Sequence, residues 1–203
     1  MKLYYSPGAC SLSPHIALIE SGLNFNIEKV DLKAGKTETG ADYASINPKG
    51  YVPALELDNG TLMTEGPTIV QYIADHASGA RIAPPQGAMA RYELTEWLGY
   101  INSEIHKTFT PLFDKSSPEE SKAAAKKKLD RRFAYAAKRL ASHPYLVDDT
   151  FSVADGYLFV TLRWAKALAI DLSAYPSLEA YRERMNQRPA VQAALKQEGI
   201  ESI

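Results

Sequence analysis

The chain predicts two domains of different class: an α/β domain over residues 1–76 and an all-α domain over residues 88–203, joined by a linker at 77–87. Three observations predict this. Strand-like and helix-like segments alternate as far as His76. Composition then shifts to Ala77-Ser78-Gly79-Ala80-Arg81-Ile82-Ala83-Pro84-Pro85-Gln86-Gly87, with the glycine and proline content of a connector. Beyond it, helical periodicity runs almost unbroken to the end.

The elements follow in order. Lys2-Leu3-Tyr4-Tyr5 is a short apolar strand, and Pro14 to Ile19 is an apolar helical stretch that Gly22 closes. Phe25 to Val30 alternates as a strand with one buried face. Lys33 to Ser45 is polar, with a weak helix around Ala41–Ser45. Val52 to Leu57 and Thr61 to Met63 flank Asp58-Asn59-Gly60, and Asn-Gly between apolar runs is a strong hairpin signal. A helix over Thr68–Asp75 presents Ile69, Tyr72 and Ile73 on one face. Strand–helix–strand, then helix–strand–strand–helix, is the order of a thioredoxin-like domain, with a parallel crossover followed by an antiparallel hairpin.

In the second domain, Met89 to Phe113 reads as one long amphipathic segment stopped near Pro111, and Pro118 to Ala141 as another. Ser152-Val153-Ala154-Asp155 is a capping signal. The helix it opens, Val153 to Leu168, is apolar almost all round and so predicts the buried central helix. Ser177–Arg188 and Val191–Glu198 finish the chain.

Composition narrows the function classes. Of the 203 residues, 45% are hydrophobic and 23% charged, as in ordinary globular proteins. Net charge is −1, with −4 over residues 1–80 and +3 over the rest, too little for a nucleic-acid partner. Lys126-Lys127-Lys128 with Arg131-Arg132 is the one dense basic run and reads as a solvated helix face. One cysteine cannot form an internal disulfide, and no apolar run approaches a membrane span or a signal peptide. The expectation is a cytoplasmic protein without a membrane partner.

That cysteine, Cys10, lies between a strand and a helix start. There, unpaired N–H groups and the positive dipole end favour a thiolate, the form that acts as nucleophile. The plainer alternative is a small buried hydrophobe. Pro53 begins a strand, as an ordinary trans proline or as a cis one. Glu65-Gly66 stands at a strand-to-helix junction, fit either for N-capping or for holding an ammonium group and a carboxylate. His106 shares a helix face with Asn102 and Ser103 and is either structural or functional.

Taken together, these segments resemble the glutathione S-transferases, specifically the bacterial beta class, along essentially the whole chain. The resemblance is carried by Lys2 to Ser13, Asn47-Pro48-Lys49-Gly50-Tyr51-Val52-Pro53-Ala54-Leu55, Leu62-Met63-Thr64-Glu65-Gly66, Glu104-Ile105-His106-Lys107 and Phe151-Ser152-Val153-Ala154-Asp155. It implies that fold, a homodimer, and glutathione as substrate with no cofactor or metal. Cys10 would contact the glutathione sulfur, Val52 before a cis Pro53 would pair with its cysteinyl backbone, and Glu65 and Gly66 would hold its γ-glutamyl end. His106 and Lys107 would approach the thiol, while Ser103 and Glu104 would reach the partner subunit's glutathione. Two positions depart from the class pattern, Gly35 where a lysine is usual near the glycine carboxylate, and Gly99 where asparagine is expected. Tyr4, Tyr5 and Ser11 are candidate auxiliary hydroxyls.

The activity this implies is conjugation of glutathione to a hydrophobic electrophile, held by Tyr5, Phe109, Phe113 and Trp164. The rivals are glutathione-dependent thiol–disulfide exchange or reductive dehalogenation through Cys10, and non-catalytic binding of apolar compounds.

Overall fold

The computed structural model describes residues 1–78 and 81–201; Gly79 and Ala80 of the expected linker lie outside the described residues. Contacts divide the chain into an α/β unit, Met1–Ala83 with the segment from Arg188, and a helical unit, Pro84–Gln187.

The α/β unit is built on a five-stranded sheet of β1 (Lys2–Tyr5), β2 (Asn26–Asp31), β3 (Lys36–Thr37), β4 (Ala54–Glu56) and β5 (Leu62–Thr64), in spatial order β3-β2-β1-β4-β5. β1 and β2 run parallel across the crossover helix α1 (Leu12–Ser21); every other pairing is antiparallel. β3 is an addition to the sequence reading. Two residues are too few to show alternation, and the strand exists because Val30 and Asp31 pair with Thr37 and Lys36.

Register alternates side chains between faces. Tyr4 joins Val30, Tyr43, Val52 and Ala54 on one face, against the short α2 (Tyr43–Ile46). Its neighbour Leu3 therefore faces the opposite side. α1 packs on α3 (Gly66–His76), with Leu12, Ile16, Leu18, Ile69 and Ile73 fully buried.

Residues 88–203 were expected to be one helical domain, but the last helix, α9 (Pro189–Glu198), packs on α1. Polar pairs direct it there. Arg188 reaches Glu20 at 2.8 Å, and Glu198 reaches buried His15 at 2.9 Å.

The helical unit holds α4 (Met89–Tyr100), α5 (Thr110–Phe113), α6 (Glu119–Leu140), α7 (Val153–Ala167) and α8 (Pro176–Asn186). α7 is buried continuously from Val153 to Ala165, as its all-round apolarity predicts. The capping box forms. Asp155 accepts from the Ser152 backbone at 2.8 Å, and it also accepts from the Leu146 backbone at 3.0 Å and the Tyr181 hydroxyl at 3.1 Å.

The expected single helix over Met89–Phe113 is corrected. After Tyr100 the chain makes a π turn (Ile101–Ile105), then a 3₁₀ turn (His106–Phe109), then α5. Pro111 accounts for the 3₁₀ turn. It has no N–H to offer the Lys107 carbonyl four residues back, and the Thr110 N–H takes that carbonyl instead, tightening the turn. No helix among the described residues is long and apolar enough to cross a membrane.

Candidate functional site

The Cys10 loop is fixed from three directions. Gly8 at φ +70° allows the Ser6–Ala9 turn, closed by Ala9 N–H donating to Ser6 O at 3.0 Å. The Gly8 N–H donates to Glu198 Oε2 at 2.9 Å. Buried Ser11 accepts from Ser6 N–H at 3.1 Å and lies 3.2 Å from its carbonyl, so its hydroxyl fastens the loop and is not an auxiliary at the thiol. Cys10 sits one residue before the N-cap of α1, partly exposed, and its thiol donates to the Val52 carbonyl at 3.3 Å.

That carbonyl precedes Pro53, and the Val52–Pro53 bond is cis. A Cβ on Gly66 would lie 3.9 Å from the Pro53 ring, which places the start of α3 against this bond. Cys10, Val52, Pro53 and Gly66 are thus linked in space although they come from three segments.

Glu65, the N-cap of α3, holds φ 70° and ψ 110°. A non-glycine residue in such a region costs about 1–3 kcal/mol and persists where its surroundings over-determine it. Here they do. Glu65 Oε1 accepts from Lys49 Nζ at 2.7 Å and from the Tyr51 hydroxyl at 2.6 Å. Both bonds raise their donors' pKa, because deprotonating either donor gives up its bond to the Glu65 carboxylate. Lys49 and Tyr51, which hold Glu65, were not among the expected site residues. They lie in the Asn47–Leu55 segment that carries the resemblance, and they meet Glu65 only across the fold.

Gly35 stands apart from this linkage. It occupies the β2–β3 turn at φ +66°, and its backbone bonds go to Asp31 and Tyr43. Tyr4 is buried with its hydroxyl donating to Glu56 at 2.7 Å; burial first, then that bond, pushes its pKa up to about 12. A hydroxyl so engaged does not serve as a thiol-activating auxiliary. Tyr5 is buried too, its ring tilted against His15 at 6.0 Å.

In the helical unit, His106 lies at the join of the π and 3₁₀ turns. Its Nδ1 is 2.6 Å from the Tyr157 hydroxyl, which is 3.0 Å from Asn102 Oδ1. Trp164 meets the imidazole edge-on at 4.8 Å. Burial first, then the adjacent Lys107 charge, lowers the His106 pKa to about 4, so the ring is neutral at physiological pH. Phe109 lies 5.4 Å and Phe113 5.3 Å from Trp164, placing three of the four expected electrophile-site residues in one cluster with His106. Phe109 is fully buried, while Phe113 is 51% exposed. Tyr157 was missed, hidden in a helix read as uniformly apolar. Its signal was that a buried tyrosine hydroxyl needs a partner.

Lys107 is exposed on the 3₁₀ turn. Ser103 is also exposed and donates to the Gly99 carbonyl at 3.0 Å. Glu104 pairs with Arg132 at 2.5 Å. Ser103 and Glu104 line a cavity of about 740 Å³ with Trp97, Tyr100 and Tyr135.

Comparison with known proteins follows the same division. The glutathione S-transferase N-terminal domain model matches residues 8–76, and the C-terminal domain model matches residues 100–189. Glutathione S-transferase GstA of Escherichia coli O157:H7 is 46% identical over 98% of this chain and 100% of its own. A structure of a ternary complex of BphK, a bacterial GST, superposes with TM-score 0.96 at 54% identity, covering 98% of this chain and 100% of that one. The bacterial beta class enzyme of Sphingomonas chungbukensis gives 0.95 at 49% identity, over 99% and 100%. A sphingomonad glutathione S-transferase complexed with glutathione gives 0.95 at 49%, with the same coverage. With both domain models matched in order and these likenesses running end to end, the chain belongs to the bacterial beta class of the glutathione S-transferase family.

Proposed function

We propose that the protein conjugates reduced glutathione to hydrophobic electrophiles. The observation that carries this is the Cys10 thiol on the Val52 carbonyl, beside the Pro53–Gly66 contact. Glutathione offers one ammonium, two carboxylates, peptide groups and a thiol, and the α/β unit has a counterpart for each kind. The Glu65 carboxylate suits the ammonium, the N-terminus of α3 at Gly66 a carboxylate, and the Val52 backbone a peptide group. Cys10 is the neighbour for the sulfur.

In the reaction, the glutathione sulfur attacks the electrophilic carbon. For an aryl halide, the C–S bond forms, the carbon–halogen bond breaks, and halide leaves with its electron pair. By resemblance alone, neutral His106 is assigned to the thiol proton. A base whose conjugate acid has a pKa of about 4 cannot fully strip a thiol of pKa near 8.5. It can accept a hydrogen bond from that thiol and pass the proton to water. Phe113 and Trp164 supply apolar surface for the electrophile. Gly35, Ser103, Glu104 and Lys107 remain assigned to glutathione by resemblance alone.

A second reading is favoured by the partial exposure of Cys10. Its thiolate attacks the glutathione sulfur of a mixed disulfide, expelling the other thiolate. A second glutathione thiolate then attacks the resulting Cys10 disulfide, releasing oxidised glutathione and regenerating Cys10. Both readings need reduced thiols, which suits a protein working in the cytoplasm.

The test is turnover of an activated aryl halide by the purified protein with and without reduced glutathione. Glutathione-dependent product above the uncatalysed rate supports conjugation; none overturns it.

A further inference from the structure

We infer that Tyr157 is a positioning residue that sets the tautomer of His106, leaving Nε2 as the unprotonated nitrogen. The inference rests on the reading that His106 handles the thiol proton. Three side chains form a relay within the helical unit. Asn102 Oδ1 lies 3.0 Å from the Tyr157 hydroxyl, and that hydroxyl lies 2.6 Å from His106 Nδ1. A phenol has one proton and can donate once. Donated to Asn102 Oδ1, that proton leaves the phenol oxygen as an acceptor toward Nδ1, and the neutral ring must then carry its hydrogen on Nδ1. Nε2 is left with its lone pair, the state a proton-accepting histidine requires.

The surrounding geometry holds this arrangement. Tyr157 is buried on α7, a helix buried along nearly its whole length, so the hydroxyl has little freedom to turn toward water. Asn102 and His106 are four residues apart across the π turn, and the His106 N–H reaches back to the Asn102 carbonyl, locking their spacing. Trp164 edge-on at 4.8 Å limits rotation of the imidazole. The rival arrangement has the Asn102 amide turned so that its NH₂ donates to Tyr157, which then donates to Nδ1. That would place the ring hydrogen on Nε2 and make His106 a donor toward substrate.

Nitrogen-15 NMR of the histidine rings in the whole protein at neutral pH separates the two, with the His106 signals identified by their loss in His106→Gln. The wild type is expected to show Nδ1–H. Tyr157→Phe removes the acceptor, and Asn102→Ala frees the Tyr157 proton to turn to Nδ1; both are expected to move His106 toward Nε2–H. Asn102→Asp, whose carboxylate can only accept, is expected to retain Nδ1–H. In the same variants kcat is expected to fall about three- to tenfold for Tyr157→Phe and Asn102→Ala, the range of one net hydrogen bond, with the KM for glutathione within about twofold.

An Nε2–H wild type overturns the inference, as does a His106 tautomer unmoved in both variants. So does a loss that falls on KM with kcat unchanged. The spectra are recorded without substrate, so failure of the transferase reading shows separately, as absent turnover by a wild type whose tautomer is already known. Asn102→Ala removes a partly exposed side chain and so keeps the test decisive if Tyr157→Phe folds poorly.

Discussion

Gly8 and Glu198 stand 190 residues apart, and the Gly8 N–H donates to Glu198 Oε2 at 2.9 Å. The other carboxylate oxygen reaches His15 Nδ1 at 2.9 Å, and His15 Nε2 lies 2.7 Å from Gln197 Oε1. The loop that carries Cys10 is therefore held by the last helix of the chain. Glu198→Ala leaves a backbone N–H and a buried imidazole without this partner. It is expected to lower stability by about 1–3 kcal/mol in urea unfolding and to raise the KM for glutathione. Unchanged values in both would show that the tether carries no load.

Cys10→Ala tests the division of labour at the thiol. It is expected to abolish glutathione-dependent reduction of a small mixed disulfide while conjugation falls by about tenfold or less, the value of one neutral hydrogen bond. Equal loss of both activities would argue that Cys10 serves one shared step.

The acidity of His106 gives a pH prediction. In the unfolded chain it takes up a proton near pH 6.5, and in the folded protein near 4. Between these values the unfolded state binds more protons, so this residue makes stability fall as pH falls through that window. The ring proton of His106 is expected to titrate near pH 4, and His106→Gln to flatten that part of the stability profile. A midpoint near 6.5 would contradict the burial of the imidazole.

Asp155 is buried and gathers the loop before α7, the N-cap of α7 and Tyr181. Burial pushes its pKa up to about 6, against the bonds from Leu146, Ser152 and Tyr181. Asp155→Ala strands all these donors in the interior and is expected to cost about 2–4 kcal/mol, read by thermal unfolding. A loss below about 1 kcal/mol would mean that the donors find other partners.

Phe113 separates electrophile binding from stability. Half exposed and stacked on Phe109 at 5.9 Å, it is expected as Phe113→Ala to raise the KM for an aromatic electrophile several-fold while leaving that for glutathione unchanged. Equal changes in both would place it outside the electrophile site.

Most of the fold was legible because its signals are local. The Asn59-Gly60 hairpin, the Gly22 helix end and the Ser152–Asp155 capping box each occupy a few adjacent residues, and each formed. β3 was not legible, since its two residues are strand only by pairing with β2. The break at His106 was half legible. Pro111 announced an end, but the π and 3₁₀ turns before it follow from how neighbouring carbonyls share donors. The placement of α9 was hidden because it depends on Glu198 meeting His15 and Gly8 across the chain.

The site divides in the same way. Cys10, Pro53, Glu65 and His106 stand in motifs that the sequence displays. Their partners Lys49, Tyr51 and Tyr157 act through contacts that no spacing announces. Gly35 matched a position rather than a chemistry, and its backbone is used by its own turn.

The most direct test of the central claim is calorimetric titration of reduced glutathione into the wild type and Glu65→Ala. The wild type is expected to bind one glutathione per chain. Binding by the variant should be weaker by about tenfold or more, the value of a hydrogen bond to a charged group. A wild type that binds no glutathione would contradict the account, leaving the Cys10, Val52 and Glu65 arrangement without the ligand it was read to hold.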